Sequence, residues 1–244
     1  MHDDFDLYAI PNWKFVRENA VPEEKVPLLT TGAILIHAYK YQGWTPQTLS
    51  LNNRGLHPSE VLSEHLYVNN KEEALKLVED LISVGGVGLT GETRVESRKQ
   101  IDERLLKYAG GEKSVLSQEE AEMLNGMTDW IIGFKWLKTR IEKTDFENIT
   151  TTLAWDIERA AFVGRLAYNC DYLSEEEVWS VLGRTRSLAE SNFEDWLGYS
   201  ISFIKGISID KYNADFQLMC ETWDNMCLLN DRNDGDVWIW SPLK

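Results

Sequence analysis

The strongest concentration of charge in an apolar setting is Trp155-Asp156-Ile157-Glu158-Arg159, with Arg165 two turns further on. On a helix, Asp156 and Arg159 stand three residues apart and share a face, so a carboxylate and a guanidinium can pair. Two kinds of chemistry fit these residue types. In one, Asp156, Arg159 and Arg165 tie neighbouring helices together through charge-assisted hydrogen bonds. In the other, Arg159 and Arg165 bind an anion while Asp156 orients them. Ion-pair networks imitate active sites without being such sites, which favours the structural reading.

Other chemistries find little footing. The histidines are His2, His37, His57 and His65, and none stands in H-E-x-x-H or H-x3-H spacing. The cysteines, Cys170, Cys220 and Cys227, include no C-x-x-C pair. Cys220 and Cys227 are seven apart and would share a helix face, a spacing that suits core packing. No metal and no cofactor is expected. The 231–236 segment departs from a calcium loop: its glycine comes one position early, and Pro242 stands where a bidentate Glu is needed. Gly85-Gly86-Val87-Gly88 has neither dinucleotide nor P-loop spacing. There is no G-x-S-x-G elbow.

The formal net charge is −15 over 244 residues. That argues against nucleic acid and anionic membranes as partners, since both attract clustered Lys and Arg. It suits solubility, and it suits a basic protein partner. Of ten tryptophans, Trp13, Trp44, Trp238 and Trp240 lie outside the clean helical stripes. Trp238 and Trp240, beside Asp231, Asp234 and Asp236, are the candidate partner-binding residues, because anchors of this type carry much of an interface's affinity. The acidic start lacks the pattern of a signal peptide, and the apolar run 32–38 is too short for a bilayer. With an odd number of cysteines, a reducing, cytoplasmic setting is expected.

These residues need elements to position them, and the periodicity is helical. Residues 1–25 read as an irregular N-terminal arm and 26–244 as a single helical domain, with a seam at the charged stretch 90–113. Helices are predicted over 27–41 and from 71 to Gly85-Gly86, then over 92–107 up to Gly110-Gly111. Ser117-Gln118-Glu119-Glu120 and Ser174-Glu175-Glu176-Glu177 each form an N-terminal capping box. Further helices are predicted over 152–169, 193–205 (stopped by Gly206) and 213–229. Residues 237–240 read as one short strand or extended segment near the C-terminus. The fold class is therefore mainly α, a compact multi-helix domain. Alternating βαβ patterning is absent.

The stretch 154–206 resembles the bacterial family called domain of unknown function 1266. Trp155-Asp156 with Arg159, then Arg165, Tyr168 and Tyr172, carry the likeness. Ser174-Glu175-Glu176-Glu177 with Trp179, and Phe193, Trp196 and Gly206, continue it. The likeness is looser over 31–41, over 72–86 and at Trp238-Ile239-Trp240-Ser241-Pro242. This sequence departs from the pattern at Asp195, where Ser would stand, and at Ile207, where Arg would stand. It departs again at Cys170-Asp171, where a small residue and Gly would stand. The resemblance implies a helical single domain and no particular activity.

The leading functional expectation is a non-enzymatic interaction protein of the immunity or antitoxin kind, covering a basic partner with an acidic face. The alternative is an enzyme that acts on an anionic substrate through Asp156, Arg159 and Arg165.

Overall fold

The computed structural model describes residues 21–38, 49–51, 57–83, 96–133, 142–209 and 243. A 3-10 segment, Glu23–Leu29, leads through a turn into α1 (Ala33–Ala38). A single α-helical turn, α2 (Pro58–Glu60), runs into a π turn, Val61–His65. Next come α3 (Lys71–Ser83), α4 (Arg98–Ala109), α5 (Gln118–Gly133) and α6 (Lys143–Asn148). The series closes with α7 (Leu153–Asn169), α8 (Glu175–Asn192) and α9 (Trp196–Ile209). No strand occurs among the described residues. The proposed helix over 213–229 and the extended piece over 237–240 lie outside them.

Local chemistry sets most of the helix starts. Ser174 Oγ accepts from the Glu177 N–H, and the Glu177 carboxylate accepts in turn from the Ser174 N–H at 3.0 Å. Ser117 and Glu120 make the same exchange at 3.1 and 2.7 Å. At α3, Asn70 accepts from the Glu73 N–H and Glu73 from the Asn69 N–H. Each exchange satisfies a donor that the first helical turn leaves without an internal partner.

Three helices differ from the sequence prediction. The helix predicted over 27–41 is interrupted at 30–32, because Gly32 takes a left-handed φ of +81° against α7. A Cβ at Gly32 would lie 2.9 Å from the Cβ of Ala161, so the turn demands glycine on two counts. Helix α4 begins at Arg98, after Ser97, whose N–H donates to Gln100. Glu96 and Ser97, predicted to be helical, precede it. Helix α9 begins at Trp196 rather than Phe193 and passes through Gly206 to Ile209. Gly206 is no stop signal: a Cβ there would collide with the Trp155 side chain, so glycine lets α9 press onto α7.

Two departures from the family pattern acquire physical readings. Asp195 accepts the Gly198 N–H at 2.8 Å and caps α9, a task that Ser also performs. Asp171 adopts φ +59° just past α7. Its N–H donates to the Tyr168 carbonyl, and the Tyr172 N–H to the Ala167 carbonyl, which is the paired pattern of a Schellman ending. Glycine is the usual residue at that left-handed position.

Helix α7 is the axis of the fold. It packs against α1, α3, α8 and α9. Every residue from Leu153 to Ala167 is buried. Small residues on α7 admit a neighbour, for a Cβ at Gly164 would meet Val181 of α8 at 2.8 Å. A smaller apolar cluster joins Ile101, Leu105, Leu116, Leu124 and Ile209 around α4 and α5. Arg104 of α4 bridges to both oxygens of Glu120 on α5, each at 3.0 Å.

Candidate functional site: the charged residues of the central helix

Burying α7 on all sides also encloses Asp156, Glu158, Arg159 and Arg165, none more than 3% exposed. Charge removed from water must find partners close at hand. The helix solves this separately on two faces.

On the first face, Arg159 donates to Asp156 Oδ1 at 2.5 Å, and Arg98 donates to Oδ2 at 3.0 Å. Arg98 also donates to the carbonyls of Leu81 and Ile82, at 3.1 and 3.4 Å. One carboxylate thereby joins the last turn of α3, the first turn of α4 and the axis helix. The Arg159 guanidinium lies 5.0 Å from the Trp155 ring centre, a cation–π distance.

On the second face stands Glu158, wholly buried. Its Oε1 accepts from the Tyr199 hydroxyl of α9 at 2.7 Å. Its Oε2 accepts from the Ile34 N–H of α1 at 3.2 Å, and the N–H groups of Gly32 and Leu35 also act on it. Burial pushes the carboxyl up to about 7, against the lowering pull of Tyr199 and these backbone donors. Arg165 feels the same burial, which brings it down to about 9, while the negative charge of Glu158 pulls the other way. The Tyr199 hydroxyl is pushed up by burial and by its carboxylate neighbour.

The structure thus unites Asp156 with Arg159 and sets Arg165 with Glu158. Helix geometry explains the division. Asp156 and Arg165 are nine residues apart, about half a turn out of phase at 3.6 residues per turn. Glu158 and Arg165 are seven apart and in phase. Glu158 was the residue missed, and this spacing was the signal that could have found it.

Other buried polar groups brace the ends. Asp102 of α4 accepts from Thr151 Oγ1 and from both the N–H and hydroxyl of Thr152, so it holds the start of α7. Burial raises its carboxyl against those hydrogen bonds. Ser202 of α9 accepts the Ala154 N–H at 3.1 Å. Lys205 of α9 donates to the carbonyls of Phe146 and Ile149 around the end of α6, and burial brings its ammonium down to about 8. Arg186 of α8 donates to Thr30 Oγ1 at 2.9 Å, to Glu190 at 2.6 Å and to the Leu243 carbonyl at 3.2 Å.

Cys170 is half-buried, and burial raises its thiol to about 11, away from nucleophilic chemistry. Among the described residues, no group of three or more His, Cys, Asp or Glu could hold a metal ion. Among them too, no helix is long and apolar enough to cross a membrane. Trp238, Trp240, Asp231, Asp234 and Asp236 lie outside the described residues, as do Cys220 and Cys227.

A mainly helical fold built around one enclosed, charge-bearing helix is the class of structure that the described residues define. The chain matches the family described as Protein of unknown function (DUF1266) over residues 61–241, most of its length, and it belongs to that family. No curated protein and no solved structure matches it.

Proposed function

We propose that this chain is a non-enzymatic, cytoplasmic interaction protein of the immunity or antitoxin kind, whose acidic surface covers a basic protein partner. The observation that carries the reading is the division of charge between interior and surface. Asp156, Arg159 and Arg165 are engaged inside the fold, no more than 3% exposed. Outside, in a chain whose net charge is −15, Glu119, Glu122 and Asp129, for example, lie exposed along one side of α5. Such a surface accelerates encounter with a basic partner and selects against acidic ones. Trp238 and Trp240, with Asp231, Asp234 and Asp236, are the proposed anchors.

The same enclosure weighs against an enzyme using Asp156, Arg159 and Arg165. An anionic substrate would have to displace ion pairs already made, and the three residues do not converge on one side of α7. Affinity capture of the partner, followed by stopped-flow association at increasing salt, tests the proposal. Association should slow as salt screens the attraction, with dissociation changing less. An association rate indifferent to salt contradicts it.

A further inference from the structure

Glu158 differs from Asp156, the other buried carboxylate of α7, in what it holds. Asp156 binds two guanidinium groups. Glu158 instead holds backbone, the turn and first residues of α1, while its other oxygen meets Tyr199. Two further polar ties lie just before the segment it secures. Thr31 Oγ1 meets Thr185 Oγ1 of α8 at 2.9 Å, and Thr30 Oγ1 accepts from Arg186. Ala33, Ile34, Leu35 and Ile36 supply the apolar contact.

We propose that Glu158 and Tyr199 form a proton-accepting pair beneath α1, and that the charge on this pair sets how firmly residues 32–36 are held against α7. The geometry accommodates either state. Ionised, the carboxylate accepts from Tyr199 at one oxygen and from backbone donors at the other. When it is protonated, the added hydrogen belongs on Oε1, because Oε2 faces N–H donors. The Tyr199 hydroxyl can then accept where it had donated, since a hydroxyl does both. No heavy atom has to leave its place for the proton to enter.

The charged and titratable groups around the pair are Arg165 on α7, Tyr199 on α9 and Arg186 on α8, which acts on Tyr199. The α1 segment contributes its N–H groups. Burial is the dominant influence and raises Glu158 from 4.5 to about 7. The closed form therefore binds the proton more tightly than a form in which water reaches the carboxyl. By linkage, this contribution to closure is fully present below about pH 4.5 and is lost as pH rises through about 7. Acidification tightens α1, and alkalinisation loosens it.

Amide hydrogen exchange of residues 32–36 in the full chain, corrected for intrinsic exchange, reads the device directly. Protection should fall between pH 5 and pH 8, on the order of tenfold or more. In Glu158→Gln the amide retains an acceptor for the backbone and cannot ionise, so protection should become independent of pH. If the wild-type protection is flat, or if Glu158→Gln keeps the wild-type dependence, the proposal fails. Tyr199→Phe guards against a misfolded glutamine variant. Loss of the hydroxyl that steadies the anion should move the transition to higher pH, and an unmoved transition also overturns the proposal.

Discussion

The two faces of α7 bury the same kinds of charge by different means. On one, Asp156 is neutralised by Arg98 and Arg159, two side chains whose own positions are fixed by α3, α4 and Trp155. On the other, Glu158 is satisfied by peptide N–H groups and a hydroxyl, and its charge acts on Arg165. The first arrangement cross-links elements through paired charges. The second fixes one short segment and leaves a carboxyl poised to take a proton. Burial alone therefore does not decide what a charged residue does for a fold; the chemistry of its partners does.

The largest effect should come from the ion-paired face. Asp156→Ala leaves two guanidinium groups without their shared carboxylate and should cost about 3–5 kcal/mol. Urea denaturation measures it, and a loss below about 1 kcal/mol would dissolve the contrast between the faces. Next comes the contact that lets α9 reach α7. Gly206→Ala forces a methyl into Trp155 and should cost about 1–3 kcal/mol by the same assay.

Glu158→Gln should be much milder than Asp156→Ala. At pH 8 it should stay within about 1 kcal/mol of wild type, because a neutral amide escapes the burial penalty while still accepting from the backbone. A loss matching Asp156→Ala would make the two faces equivalent. The smallest effect is a gain. Asp171→Gly relieves a side chain at a left-handed position and should raise the stability by about 0.5–1 kcal/mol, the entropy of glycine offsetting part of the relief. A lower thermal midpoint would show that Asp171 makes compensating contacts.

Local signals in the sequence were legible where they act locally. The Ser174 and Ser117 boxes need only a few residues in a row, and each forms as read. The span of α7 was legible from its periodicity for the same reason. Its surroundings were not. A stripe of Leu153, Ile157, Ala160 and Gly164 predicts one buried side, but neighbours that include α1, α3, α8 and α9 enclose the remainder as well. The break before α1 escaped detection because Gly32 answers to Ala161 and Glu158, more than a hundred residues away in sequence. Gly206 was misread for a related reason: a glycine that stops a helix and one that admits Trp155 look alike in a single sequence. The pairing of Asp156 with Arg159 could be read from spacing, whereas the role of Arg98 required knowing that α3 and α4 meet α7.

The enclosed Asp156–Arg159 pair should hold the fold together without meeting a ligand. A double-mutant cycle by urea denaturation, using Asp156→Asn, Arg159→Met and the combined variant, tests it most directly. Each single change should lower stability, and the double change should cost less than their sum, with a coupling of about 1–3 kcal/mol. Additive losses, or single variants with wild-type stability that no longer bind the partner, would contradict it.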